Sequence, residues 1–466
     1  MINKDSNKKL VQEFGMRQKV AFALSSLPIW LIVTVFQVWV FTFYFSAVGL
    51  PIRYILMAFI IWSFWNVINN PMIGFLSDRT RTRWGRRKPY IMIGTIPAIT
   101  IMIIVWIPPT ENPLMGFVYL IIMLFAFDTF YTMIELPCDC LFPELYISVE
   151  ERAEVNTLKL IFSVLGLLCA YLIPGLLIED ITVMGGYLIS GIVMSIIMII
   201  TLLISLKWGI VEKEEFKHDS IHEFNFFSGL KHTLNSRGFV LYLIMFLGCE
   251  YIQIIQGMVI PLWCKYVLGV EGSFEASILL GISFIVAITT IILWKKVDIK
   301  IGSRFAYFIA LCIYCVASIP FLFVSNYYMA LIVFGFVGVG LGGLLYFNYL
   351  IIADIIDEDE LQTGIRREGS FFGVVSLFLH FASVLSILTI SIVFSSTGWE
   401  EFTPNPGADV ILGLRLLMFL SPAITIGIMC ITLYFYPFPK SRVMEIKEKL
   451  ADLHRNKKER LAQEGY

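Results

Sequence analysis

Long apolar stretches separated by short polar breaks run through almost the whole chain. A helix that crosses a hydrocarbon core needs about 20 mainly apolar residues. Such windows fall near 21–47, 53–76, 89–108, 114–142, 156–178 and 184–207, and again near 238–268, 273–294, 303–324, 327–353, 369–396 and 410–436. The pattern predicts an all-α membrane protein with twelve transmembrane helices arranged as six plus six. One long internal polar stretch, holding KEEFKHDSIHEF and KHTLNSR, divides the two sets. The expected organisation is an N-terminal six-helix bundle over 1–207, a central loop over 208–237, a C-terminal six-helix bundle over 238–436 and a tail over 437–466. Pro51, Pro109, Pro143 and Pro404-Asn405-Pro406 fall near predicted helix ends or in loops, where a residue that breaks helices belongs.

Charge separates the loops into two classes. One class holds Asp78–Lys88 (DRTRTRWGRRK), Lys295, Lys296, Lys300, Arg304, Arg366, Arg367 and the Lys-rich tail after Pro439. The alternate class holds PTENP, Glu179-Asp180, Glu271, Glu275 and GWEEFTPNPGAD, with Arg53 and Lys265 as its main basic residues. Basic short loops stay on the cytoplasmic side. The asymmetry therefore predicts a multi-pass protein of the cell membrane with both termini and the central loop in the cytoplasm. The N-terminal MINKDSNKKLVQEFGMRQK is polar and lacks a small-residue cleavage site, so no removable signal peptide is expected. The tail 441–466 alternates charge signs, with Val443, Ile446, Leu450 and Leu453 at helical spacing. This predicts an amphipathic helix at the membrane or protein surface.

Composition sharpens the exclusion. Of 466 residues, 58% are apolar and only 15% charged, against about 25% in soluble domains. A soluble enzyme, a disordered chain and a nucleic-acid binder are ruled out. The eight cysteines sit in apolar stretches, and Cys138-x-Cys140 and Cys312-x-x-Cys315 lack zinc-ribbon surroundings, so buried thiols are expected and no metal site. No GxxxxGK[ST] loop is present, which argues against an ATP-driven pump. No catalytic constellation appears. The expected partners are the lipid bilayer, a small-molecule solute and a coupling cation, with no cofactor and no nucleic acid, and the chain is expected to act as a monomer.

Two motifs are specific. The first runs Asn69-Asn70-Pro71-Met72-Ile73-Gly74-Phe75-Leu76-Ser77-Asp78-Arg79-Thr80-Arg81-Thr82-Arg83-Trp84-Gly85-Arg86-Arg87-Lys88. The second, in the C-terminal half, is Ala353-Asp354-Ile355-Ile356-Asp357-Glu358-Asp359-Glu360-Leu361-Gln362-Thr363-Gly364-Ile365-Arg366-Arg367-Glu368-Gly369. Both resemble the cytoplasmic loops of the glycoside–pentoside–hexuronide:cation symporter family, which includes the melibiose permeases and has the major facilitator fold. Arg152-Ala-Glu-Val-Asn156-Thr157-Leu158-Lys159 is similar to that family's loop into the fifth helix. The resemblance implies two six-helix bundles around a midplane cavity. It also implies gating by Asp78, Arg79 and Arg83 against Asp354, Asp357, Arg366 and Arg367.

Position by position, the resemblance implies altered coupling. Where melibiose permeases carry two cation-binding Asp residues in the second helix, this chain has Asn66 and Asn70, four residues apart on one face. Amides offer oxygens without charge, whereas hard cations take most of their neutralisation from carboxylates. In the fourth span Asp128, Thr132, Glu135 and Asp139 form a stripe about 16 Å long. Thr132 and Glu135 match cation-site positions of the family. His380 is the only histidine in a span and stands where the family has Lys. Imidazole titrates near neutrality, unlike an amine. These changes point to H⁺ coupling through Glu135 and His380 in place of Na⁺, or to coupling lost.

Expected solute contacts are Trp30, Tyr131, Asp128, Lys159, Glu250, Gln253 and Gln256. Acids and amides take hydroxyls, and rings stack on sugar faces. Trp30 aligns with a sugar-binding Asp of the family, and Lys159 lies one residue out of register with its Arg, so a galactoside ligand set is not preserved. The expected activity is alternating-access transport of a sugar or glycoside. A lysolipid transporter of the same fold and a non-transporting membrane sensor are the alternatives.

Overall fold

The computed structural model describes residues 14–146, 149–212, 236–363 and 368–463. Most of the expected central loop, together with Arg366 and Arg367, lies outside the described residues. A short helix α1 (Met16–Ala23) precedes α2 (Ser26–Thr42), which continues as a π-helical turn to Ala47. Then follow α3 (Ile52–Arg79), α4 (Lys88–Ile104), α5 (Pro113–Leu145), α6 (Val149–Leu177) and α7 (Met184–Ile204). The second set is α8 (Arg237–Val267), α9 (Ser273–Ile301), α10 (Ser303–Ser318), α11 (Tyr327–Thr363), α12 (Glu368–Ser396) and α13 (Ala408–Tyr434). A tail helix, α14 (Lys440–Gln463), closes the chain.

Eleven of the described helices are long and apolar enough to cross a membrane, and α4, with 17 residues, is an apolar but shorter twelfth. Its expected end near 108 is cut back because Pro108-Pro109 disfavour helix in the residues before them. Several other helices outrun expectation, two of them at the gating motifs. α3 continues through Asp78 and Arg79, and α11 continues through Asp354 and Asp357 to Thr363. Residues 353–363 contain no Gly or Pro, so nothing breaks the helix before Gly364. Two gating acids expected in a loop are thus fixed on a helix.

Small residues allow close packing within each half. A Cβ on Gly338 or Gly342 of α11 would fall 2.6 Å from the Ser283 carbonyl or 2.5 Å from that of Ala287, so α11 and α9 meet backbone to backbone. α9 and α10 are joined through Gly302 alone, whose φ of 89° is open to glycine and strained for other residues.

The two halves touch through α2 with α8, α3 with α12 and α6 with α9. Their polar bonds gather at the end opposite the Arg-rich segment. Lys265 Nζ meets Asp180 Oδ1 at 2.6 Å, Ser277 Oγ donates to the Tyr171 carbonyl at 2.7 Å, and the Ile52 amide donates to the Glu400 carbonyl at 3.0 Å. Phe45, Tyr266, Phe394, Trp399 and Phe402 form an aromatic plug beside them. Partial burial raises the Asp180 carboxyl, but hydrogen bonds from Lys265 and Thr182 outweigh it and leave it below its ordinary range. At the basic end the charges bind within their own half. Arg86 and Arg87 pair with Glu144, at 2.8 and 3.0 Å, and Lys447 of the tail meets Asp354 at 3.6 Å. Arg79 and Arg83 lie over the rings of Phe75 and Trp84. The end that carries Asp180, Lys265 and the aromatic plug is closed.

The closed end rests on a glycine. A Cβ at Gly175 of α6 would come within 2.2 Å of Ser277 Oγ and 3.1 Å of the Ser273 carbonyl, both on α9. Gly175→Val should therefore hold this end apart while leaving each half folded. Cys264, 1% exposed and next to Lys265, reports it. In a variant retaining Cys264 as its one cysteine, an impermeant maleimide should label the valine protein several-fold faster. Equal labelling of a folded variant would contradict this packing. Because the Asp180 carboxyl is lowered, its pairing with Lys265 should persist down to about pH 4 and weaken below it.

Candidate coupling and solute site

α3 and α5 pack side by side and bring three asparagines against one acid. Asn66, Asn69 and Asn70 occupy positions i, i+3 and i+4 of α3 and share one helical face. Asn66 Nδ2 donates to Asp128 Oδ1 at 2.8 Å. Asn69 Nδ2 reaches Asp128 Oδ2 at 2.9 Å, the Asp128 carbonyl at 3.0 Å and Thr132 Oγ1 at 3.0 Å. Thr132 Oγ1 donates in turn to Asn70 Oδ1 at 2.9 Å. Asn66, Asn69, Asp128 and Thr132 are all buried. The carboxylate fixes the amide orientations, since a carbonyl turned toward it would be repelled. As a result Asn66 Oδ1 and Asn69 Oδ1 point away, buried and without a partner.

This corrects the expected grouping in two respects. Asp128, expected beside the solute, is the acid of the asparagine cluster, because its position on α5 faces Asn66 and Asn69 directly. Asn69 was not singled out from sequence, although its i+3 spacing from Asn66 was a usable signal. The carboxylate missing from positions 66 and 70 of α3 is supplied across the helix pair by α5.

The remaining expected residues divide by location. Tyr131 donates its hydroxyl to Glu135 Oε1 at 2.7 Å, one turn along α5. Lys159 Nζ is held by Asp139 Oδ1 at 2.9 Å and lies 5.0 Å from the centre of the Phe142 ring. Trp30 is 42% exposed and is the only exposed residue of α2, although α5, α6, α7 and α8 all pack on that helix. Its ring therefore looks into the space between the halves. His380 sits edge-on to Trp62 of α3, with ring centres 5.3 Å apart, so it joins α12 to α3. Among the described residues no bond links His380 to Glu135, which belong to opposite halves. The expectation that the two act as one pair is not realised in this conformation.

On α8, Gln256 accepts a hydrogen bond from Tyr314 at 2.7 Å inside its own half and is 8% exposed, so it serves packing. Gln253 donates to the Cys249 carbonyl at 3.3 Å, and Glu250 stays half-buried. Asp357 lies on α11, and nothing is described of the Asp78 side chain. Among the described residues no cluster of three or more His, Cys, Asp or Glu side chains forms a metal site.

Comparison with known proteins agrees with this architecture. The family described as MFS/sugar transport protein matches residues 21–440. The sodium-dependent lysophosphatidylcholine symporter 1-A of Danio rerio is 24% identical, covering 85% of this chain and 80% of that protein. An isoprimeverose transporter of Lactiplantibacillus pentosus is 21% identical over 91% of this chain and 89% of its own. Among solved structures, the nucleoside transporter NupG superposes with a TM-score of 0.65 at 12% identity, covering 91% of this chain and 100% of that one. A bacterial homologue of the human lysosomal transporter Spinster, inward-facing and unoccupied, gives 0.61 at 13% identity, covering 97% and 99%.

The asparagine cluster predicts a ranking of stabilities. Asn69→Ala removes the side chain that binds both Asp128 and Thr132 and should cost about 1–3 kcal/mol, the usual cost of stranding a buried polar group. Asn70→Ala removes one acceptor and should cost less. Thermal unfolding in detergent checks the order, and a reversed order would mean that Asn69 does not hold the cluster together.

Proposed function

The chain belongs to the MFS/sugar transport protein family, and from that premise we propose that it carries a sugar or glycoside across the cell membrane by alternating access, driven by H⁺. In this reading the basic end faces the cytoplasm, with both termini inside, and the end closed by Asp180, Lys265 and Gly175 is the outer one. Solute enters or leaves between the halves near Trp30, Tyr131 and Glu135 on one wall and Gln253 on the other. Closure of the cytoplasmic end brings Arg79 and Arg83 toward the acidic end of α11. The Asp180–Lys265 pair and the Gly175 contact then separate at the outer end.

One observation supports this coupling most: Asp128 is the one acid of the cluster, held by the amides of Asn66 and Asn69, while Asn66 and Asn70 stand where the resemblance implies carboxylates. With one carboxylate in place of several, a proton satisfies the cluster at less electrostatic cost than a hard metal cation. Glu135, bonded to Tyr131 nearer the open space, relays the proton between Asp128 and the cavity. Loading both the acid and the solute favours the occluded state, and the empty carrier returns without its proton.

A second reading, Na⁺-driven transport of a lysolipid, draws on the two unpaired carbonyl oxygens of Asn66 and Asn69, which are suitable ligands for Na⁺. It also draws on the lysophosphatidylcholine symporters among the relatives.

Proteoliposomes separate the two. Uptake of a sugar or glycoside should follow an imposed proton gradient and be indifferent to Na⁺. Asp128→Asn and Glu135→Gln should each abolish gradient-driven accumulation while leaving equilibrium counterflow within a few-fold of wild type. Sodium-stimulated lysolipid uptake with no sugar uptake would replace the first reading by the second. Unaltered proton-driven uptake in both variants would remove these acids from coupling.

A further inference from the structure

One charged group in the membrane-spanning part of the molecule has no bond to account for it. Glu250 stands near the middle of α8, which is packed by α2, α9, α11, α12 and α13. Between Gly248 and Cys264 every residue of that helix is buried except Glu250 and Gln253. These two are three positions apart and share a face. With neighbours on the other sides, that face opens on the space between the halves. Among the described residues no hydrogen bond or ion pair reaches the Glu250 carboxylate. Tyr349 of α11, a helix that packs on α8, presents a ring that is 68% exposed.

The charges around the same space leave it negative. Lys159 is neutralised by Asp139, and Lys265 by Asp180 at the closed end. Arg415 donates to the carbonyls of Leu322 and Val324, away from the space. Against these, Glu250 on one wall and Glu135 on the other bring carboxylates, with aromatic faces at Trp30, Tyr131 and Tyr349. A carboxylate inside a membrane is retained when it meets a partner there. Carboxylates flanked by aromatic faces take a positively charged group, above all a substituted ammonium.

We propose that Glu250, on the face it shares with Gln253, is a subsite for an ammonium group on the transported solute. The assignment rests on the transport reading above and deepens it by naming the charge of the solute. An amino sugar and a choline headgroup would both supply that group.

Binding to the full-length protein in nanodiscs, followed by tryptophan fluorescence, tests it with two pairs of probes: glucosamine against glucose, and lysophosphatidylcholine against lysophosphatidylglycerol. In at least one pair the ammonium-bearing member should bind wild type about tenfold tighter or more, the scale of a desolvated charge pair. Glu250→Gln should erase that preference, and Glu250→Asp should keep it. The pair that responds tells sugar from lipid. Preference retained in the Gln variant, or binding to wild type without any preference, overturns the subsite. Binding and counterflow of none of the four probes would instead remove the transport reading, and this assignment with it. A direct readout needs no variant. Tetramethylammonium chloride should slow carbodiimide modification of Glu250 in the wild-type protein by several-fold relative to equal sodium chloride, and equal rates would overturn the proposal.

Discussion

An acid in a hydrocarbon surrounding has to be given hydrogen-bond donors by the protein, and Asp128 shows how that demand shapes the N-terminal half. Each carboxylate oxygen takes an amide donor from a different residue of α3, and the second amide also binds the backbone of α5 and Thr132. The two helices are thereby fixed in register along their shared face. Small displacements of α3 against α5 would strand a buried charge, whose desolvation is far more costly than the loss of an apolar contact. The pair must therefore move as one body. This is the kind of rigidity that a carrier made of two rocking halves requires.

The same constraint explains how the halves separate. At the closed end they are joined by one ion pair, a few backbone hydrogen bonds, small-residue contact and aromatic packing. None of these strands a buried charge when it breaks, because Asp180, in the loop after α6, and Lys265, in the last turn of α8, lie at the surface end and return to water. At the basic end Arg86 and Arg87 have a partner in their own half in Glu144, and Asp354 has one in the tail. A switch between two arrangements needs each to be satisfied to within a few kcal/mol. The tail helix contributes here: Arg442 meets Glu358 at 3.4 Å and Lys447 meets Asp354, so acids of α11 that carry the gating motif are not left bare.

Much of the fold was legible because periodic hydrophobicity and loop charge are strong signals in a membrane. The twelve windows correspond to helices in the structure, and their deviations have local causes. Pro108-Pro109 shortened α4, and the unbroken run of good helix formers after Ala353 lengthened α11. The site was less legible. Matching Asn66 and Asn70 to lost carboxylates was possible from spacing alone. That Asp128 restores the charge was not, since the rotation of α5 against α3 depends on packing between residues far apart in sequence. Likewise Gln253 and Gln256 look alike in the chain, yet Tyr314 of α10 claims one and leaves the other facing open space. A histidine in a span suggested proton chemistry, but its edge-on contact with Trp62 belongs to the join between the halves.

These placements bear on what a relative's substrate can teach about this chain. At the positions where the resemblance implies sugar-binding groups, Trp30 is exposed and Lys159, one residue out of register, is already paired with Asp139. The hydrogen-bonding capacity of the N-terminal wall is therefore spent on internal partners, while aromatic surface is left facing the space. On the opposite wall the carboxylate of Glu250 has no partner among the described residues. In the proposed reading that wall selects for a positive charge in place of neutral hydroxyls. Selectivity in such a scaffold follows from which polar side chains the packing leaves unsatisfied, and among the described residues these include the two amide oxygens beside Asp128 and the carboxylate of Glu250.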